Sequence, residues 1–68
     1  MLSESELYKF RGKGIKVICI DGDIIEGFCS IFTKSLDNEP EIASITIENS
    51  SGLIEVYQNE IKSIETLE

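Results

Sequence analysis

The sequence predicts a small all-β protein, a five-stranded and strongly bent antiparallel barrel preceded by a short α-helix. Residues 15–33 contain two apolar, β-branched runs joined at Asp21-Gly22, which is the strongest short-range signal for a β-hairpin. Gly27 interrupts the second run, and an interior glycine often marks a bend at which a strand passes from one sheet to another. Three further apolar runs follow, separated by polar turns, so we expect one domain over residues 1–68.

The N-terminal residues have the pattern of a short helix. Ser3 and Glu6 have the spacing of a capping box, in which the serine caps the helix and the glutamate bonds back to the serine. We expect a helix over about residues 3–10, ended by Gly12 and Gly14. A helix this short is marginal in water, so it must dock on the barrel.

The hairpin consists of a first strand over 15–20 and a second strand over 24–33. Alternation in the first strand places one apolar set on a single face, namely Ile15, Val17 and Cys19. An Asp-Gly pair tolerates the positive φ of a two-residue type I′ turn, and that turn would pair Cys19 with Ile24.

Three shorter strands are predicted after the polar loop 34–40, over residues 41–48, 53–58 and 61–65. Alternation in the third strand predicts inward side chains at Ala43, Ile45 and Ile47, and outward side chains at Ser44, Thr46 and Glu48. Ile61 and Ile64 are three positions apart, which indicates a kink or bulge at the start of the fifth strand.

The cysteines do not indicate a disulfide or a metal site. Cys29 lies five positions beyond the residue opposite Cys19, about 17 Å along the strand, whereas a disulfide needs Cα atoms about 4.4–6.8 Å apart. Both cysteines are expected to be small buried hydrophobes in a reducing compartment. The chain has no histidine, and most carboxylates fall on outward positions or turns. We therefore expect no metal, no cofactor and no enzymatic activity.

A domain of 68 residues has a small core and usually needs an additional source of stability. Because no metal or disulfide is predicted, self-association is the expected source. The N-terminus lacks a signal-peptide pattern, and no apolar run approaches the ~20 residues of a membrane helix. The expected location is the cytoplasm, with no membrane partner.

The net charge of −7 is unevenly distributed. Residues 1–20 carry four cations and two acids, a net of +2, whereas residues 21–68 carry two cations and eleven acids, a net of −9. An acidic body argues against a broad, non-specific nucleic-acid surface. The basic residues between positions 9 and 16 are compatible with a local nucleic-acid contact, and also with the solvated face of a helix and strand edge.

The chain from Tyr8 to Glu65 resembles the Sm/LSm family of small RNA-associated proteins. The resemblance is carried by the hydrophobic strand at 14–17, the Asp21-Gly22 turn, Gly27 and the aromatic Phe32, which match the family's first motif. It implies an N-terminal helix on a five-stranded SH3-like barrel, an Sm-like fold. It also implies rings in which strand four of one subunit pairs with strand five of the next. Such closure would cover the exposed strand edges.

The resemblance further implies binding of single-stranded RNA. In the family, bases are held by an Asp-x-x-x-Asn-type stretch after strand two and by an Arg-Gly pair before strand five. Here the loop is longer, and Asp37 and Asn38 offer comparable side chains. Aligning Ile61 with the family's final isoleucine puts Tyr57 in place of the arginine, where a tyrosine either stacks a base or covers the barrel. The candidate RNA-binding residues are Lys34, Asp37, Asn38 and Tyr57.

Two other functions fit the sequence. An acidic SH3-like adaptor would bind a basic protein partner through the carboxylates of residues 37–60, without nucleic acid. A structural homo-oligomer fits nearly as well. A basic pore face on an assembled oligomer would favour RNA, and an acidic face would favour a protein partner.

Overall fold

The computed structural model describes residues 2–37 and 41–67 as a small all-β, barrel-like fold with one short helix, which confirms the predicted fold class. The elements are α1 (Glu4–Tyr8), β1 (Gly14–Cys19), β2 (Ile24–Thr33), β3 (Ser44–Asn49), β4 (Gly52–Tyr57) and β5 (Ile61–Thr66), with 3₁₀ turns at Ser35–Asp37 and Gln58–Glu60. The strands form one antiparallel sheet in the order β4-β3-β2-β1-β5. No helix in these described residues is long and apolar enough to cross a membrane.

The helix begins as predicted and ends earlier. The capping box is present, because the Ser3 N–H donates to Glu6 Oε1 and the Glu6 N–H donates to Ser3 Oγ, both at 3.1 Å. Beyond Tyr8 the N–H groups of Lys9 and Phe10 donate three residues back, so the last turn is tighter than an α-helix and the prediction to residue 10 was too long. Leu7 is fully buried and anchors α1 to the core.

The predicted two-residue type I′ turn is wrong by one residue. β1 and β2 pair with Ile18 opposite Ile24, so Cys19 lies opposite Asp23, whose carbonyl accepts from the Cys19 N–H at 2.8 Å. The Gly22 N–H donates to the Cys19 carbonyl at 3.0 Å, and only Gly22 in this turn has a positive φ, of 96°. The chain therefore turns over residues 19–22, with Gly22 in a left-handed conformation. The loop is one residue longer than predicted, and Ile20 is not part of β1.

The bend of β2 depends on Gly27. The first half of β2 pairs with β1 and the second half pairs with β3, so this strand joins the two sides of the barrel. A Cβ atom on Gly27 would lie 2.6 Å from the Glu48 carbonyl oxygen and 2.7 Å from Ile47 Cγ2, so the glycine permits the close approach of β3. The register irregularity itself falls between Cys29 and Ile31, slightly beyond the predicted position.

The last three strands differ from the prediction mainly at their ends. β3 begins at Ser44 rather than 41, β4 runs from Gly52 to Tyr57 rather than from 53 to 58, and β5 extends to Thr66. The predicted irregularity in β5 is confirmed, because Ile18 pairs with Ser63 while Cys19 pairs with Ile61.

The core is formed by the predicted inward faces of β1 and β3, together with Cys29, Val56, Ile61 and Leu7. Both cysteines are free and buried. Ser44, which was predicted on the outward face of β3, is buried, with an exposure of 0 %. Ser44 is paired with Thr33 of β2 and Tyr57 of β4, and its Oγ donates to Glu55 Oε2 at 2.7 Å.

Candidate functional site

The structure places two members of the predicted RNA site, Lys34 and Tyr57, at one end of the sheet. Thr33, Ser44 and Tyr57 are paired in a row across β2, β3 and β4. Since neighbouring strands lie about 4.8 Å apart, the backbones of Thr33 and Tyr57 are about 10 Å apart. Lys34 directly follows Thr33, so Lys34 and Tyr57 share this end of the sheet.

The other predicted residues add less to the site. Asp37 is the last residue of the 3₁₀ turn Ser35–Asp37, and Asn38 lies outside the described residues. Tyr57 is half-buried, and its backbone N–H donates to Glu60 Oε1 at 3.0 Å.

A second group of side chains adjoins Lys34, and we call it the aromatic shelf: Tyr8, Arg11, Phe32 and Lys34. The rings of Tyr8 and Phe32 meet edge to face, with centroids 5.3 Å apart and an interplanar angle of 84°. Together with Glu4, Ser5 and Lys34 they line an open cavity of about 460 Å³. Tyr8 is 48 % exposed, so an aromatic surface is available to a ligand.

Arg11 completes the shelf through its contact with Tyr8. The Arg11 guanidinium carbon lies 4.9 Å from the centroid of the Tyr8 ring, and Arg11 Nη2 donates to Tyr8 Oη at 3.0 Å. This cation–π contact holds a planar, permanently charged group over one face of the partly exposed Tyr8 ring. The spacing of three residues places Tyr8 and Arg11 on the same side of the helical turn.

Hydrogen bonds attach α1 and the residue at the start of the described chain to the rest of the barrel. Glu4 accepts hydrogen bonds from Ser35 Oγ at 3.0 Å and from the Ser35 N–H at 3.4 Å, which joins α1 to the segment after β2. Gln58 Nε2 donates to the Leu2 carbonyl at 2.6 Å and joins the start of the chain to the turn after β4. These contacts fix the positions of Tyr8 and Lys34 relative to Phe32.

The charge of the shelf differs from that of the whole chain. Arg11 and Lys34 are positive and Glu4 is negative, a local net of +1, whereas the chain carries −7. Flat apolar rings beside cationic side chains can stack a nucleobase and contact its phosphate. The shelf is therefore a candidate nucleotide-binding surface.

Sequence reasoning named only Lys34 of this group as a candidate site residue, and considered Arg11 only within the basic residues between positions 9 and 16. The spacing of Tyr8 and Arg11 was visible, but their proximity to Phe32 depends on how α1 docks against β2. Phe32 was matched to the aromatic of a family motif without a binding role. A basic residue three positions after an aromatic at the end of an amphipathic helix is the signal that would have directed attention to this surface.

The described residues contain no group of three or more His, Cys, Asp and Glu side chains suited to hold a metal ion. Burial raises the pKa of both thiols, Cys19 and Cys29, which opposes thiolate formation. No protein-family model, curated protein or solved structure matches this chain.

Proposed function

We propose that this chain is a self-assembling module of the cytoplasm that binds single-stranded RNA, related to the Sm-like barrels. The observation that carries the RNA proposal is the aromatic shelf, where the rings of Tyr8 and Phe32 meet, Arg11 lies over the Tyr8 ring and Lys34 lines the same cavity as both rings. Bases of any sequence have a face that can stack on such rings, and the flanking cations can contact phosphates. Binding at this shelf needs neither the Arg-Gly pair of the family nor a basic pore.

The acidic remainder of the molecule limits the proposed RNA site to a few nucleotides. Eleven acids between residues 21 and 68 repel a long polyanion that leaves the shelf. We therefore expect weak binding to each copy and a marked dependence on ionic strength. Presentation of several shelves by one oligomer would raise the overall affinity without new contacts.

The topology supports the self-assembly half of the proposal. Within the described residues, β4 and β5 are the outer strands and each has one strand neighbour. An outer strand presents unpaired backbone groups that another copy can satisfy. Leu53 on β4 is 66 % exposed and Leu67 next to β5 is 51 % exposed, so an edge contact would also remove apolar surface from water.

Fluorescence anisotropy with labelled homopolymeric RNA tests the shelf. Because loss of one base–aromatic stack costs about 1–3 kcal/mol, Tyr8→Leu should weaken binding about five-fold or more. Arg11→Gln and Lys34→Gln should each reduce the dependence of log K on log salt, by about 0.7 per lost phosphate contact. Lys62→Gln is the matched control, because Lys62 is an exposed cation on β5 outside the shelf.

Two outcomes contradict the RNA proposal. The first is no saturable binding by the unchanged protein at low salt. The second is equal weakening by Lys62→Gln and Lys34→Gln, which would mean that RNA responds to total charge and not to the shelf.

A further inference from the structure

A groove separate from the shelf lies between the β1–β2 turn, β4 and the 3₁₀ turn Gln58–Glu60. Its volume is about 400 Å³. The Ile20 N–H donates to the Glu60 carbonyl at 3.0 Å, so the hairpin turn and the 3₁₀ turn are held together at one end of it. We call this the seam groove. It lies beside β4, and among the described strands β4 does not pair with β1 or β5. No residue lining it belongs to the shelf.

The floor of the seam groove is apolar. It is formed by side chains of three strands, namely Cys19, Ile25, Ile54 and Val56. Ile25 and Ile54 are half-buried and pack against the core, so each keeps part of its surface open to the groove. An apolar side chain placed here would lose hydrated surface, which favours binding.

The rim of the seam groove is acidic. It carries four exposed carboxylates and, among the described lining residues, neither lysine nor arginine: Asp21, Asp23, Glu55 and Glu60. Three of these carboxylates are positioned by hydrogen bonds from the protein. Asp21 accepts from the Asp23 N–H at 3.0 Å, Glu55 accepts from Ser44 Oγ at 2.7 Å, and Glu60 accepts from the Tyr57 N–H at 3.0 Å. Each retains free lone pairs for an external donor.

The rim charges act on the floor. The pKa of the Cys19 thiol is raised first by burial and then by the negative charges of Asp21, Asp23 and Glu60. A thiol at the base of the groove therefore experiences the potential of three of its rim carboxylates. The same negative potential that disfavours the Cys19 thiolate would stabilise a cation that enters the groove.

We propose that the seam groove binds an extended basic segment of another protein, with an apolar side chain on the floor and a lysine or arginine among the rim carboxylates. The long stems of lysine and arginine are apolar while their heads are charged, which matches an apolar floor with an acidic rim. The volume suits a few side chains rather than a folded domain. The carboxylates oppose occupation by nucleic acid.

A second copy of this chain fits the groove less well. Three of its five exposed cations cluster at Lys9, Arg11 and Lys13, whereas Lys34 and Lys62 each stand without a neighbouring cation in the sequence. The apolar side chain among them is Phe10, which already packs against the core of its own barrel. That segment would meet the rim and leave the floor uncovered.

Titration calorimetry with two synthetic peptides tests the proposal: one alternates lysine with leucine, and the other alternates lysine with serine. The protein should bind the leucine peptide saturably, with one peptide per chain, and the serine peptide at least ten-fold more weakly. Asp23→Asn and Glu60→Gln should each weaken the leucine peptide several-fold, because each amide keeps the side-chain oxygen and removes the charge. Glu48→Gln and Glu65→Gln are matched controls, since both carboxylates are exposed on strands outside the groove.

Three results would overturn the proposal. Equal affinity for the two peptides would mean that the floor is not used. Equal weakening by the control variants would mean attraction to the total charge. A native mass spectrum in which the chain associates with itself and excludes the peptide would mean that a second copy occupies the groove.

Discussion

Gly27 allows β3 to lie very close to β2, because it has no side chain. The backbone of β3 crosses so closely that a Cβ atom would lie 2.6 Å from the Glu48 carbonyl oxygen. Gly27→Ala should therefore lower the free energy of unfolding by about 1–3 kcal/mol, the usual effect of overpacking. Gly14→Ala is the control, because its Cβ would make an ordinary contact of 3.9 Å with Leu67. Urea denaturation of both variants measures the difference, and equal midpoints would contradict this role of Gly27.

The sequence indicated a structural role for Gly27 but did not show its physical reason. A glycine inside a β-branched run indicates a bend or a close approach, and the structure has the close approach at Gly27 and the register irregularity near Ser30. The burial of Ser44 was missed for a related reason. Alternation along one strand predicts which way a side chain points, whereas the burial of Ser44 depends on contacts that the pattern of a single strand does not contain.

The helix α1 has five residues, so its first turn must supply much of its order. Ser3→Ala removes the acceptor of the Glu6 N–H and should lower the free energy of unfolding by about 1 kcal/mol. Ser50→Ala, in the exposed turn between β3 and β4, should change it little. Urea denaturation of the two variants at neutral pH measures the contrast, and equal effects would show that the cap is not stabilising.

The capping box also predicts a pH dependence. Hydrogen bonds from Ser3, first from its backbone N–H, lower the pKa of Glu6 below its ordinary value of 4.5. A group with a lowered folded-state pKa stabilises the protein above its unfolded-state value and loses that effect as the pH falls through the folded-state value. The stability difference between the unchanged protein and Glu6→Gln should therefore be present at pH 7 and diminish below pH 4.5. A difference that grows on acidification would contradict the assignment.

Among the elements, those with local chemical signals were predicted best. The bounds of β2 were correct, and the capping box and the irregular start of β5 were recognised from residue spacing. The hairpin turn was placed at the right residues with the wrong register, because Asp21-Gly22 is compatible with both turn types and the choice depends on pairing. The aromatic shelf was not predicted, since it joins α1 to β2 across the fold.

For the whole molecule, the proposed functions use three different surfaces. The shelf carries two cations, the seam groove carries four carboxylates, and the sheet edges carry exposed leucines. This separation of charge lets a chain with a net charge of −7 present one local site for an anion and another for a cation. Since the groove borders β4, self-assembly and peptide binding share an element and should be measured on the same samples.

The exposed edge of β4 gives the sharpest test of assembly. We expect native mass spectrometry of the purified chain to show a closed oligomer of about five to eight copies, held by pairing between β4 and β5. Leu53→Lys should shift the spectrum towards monomer, because a lysine on a strand edge opposes pairing and removes apolar contact. Leu36→Lys is the matched control, since Leu36 is 80 % exposed in the 3₁₀ turn Ser35–Asp37 and lies on neither edge. A monomeric unchanged protein, or equal dissociation by both variants, would contradict edge pairing and leave the shelf and the seam groove as sites of a single barrel.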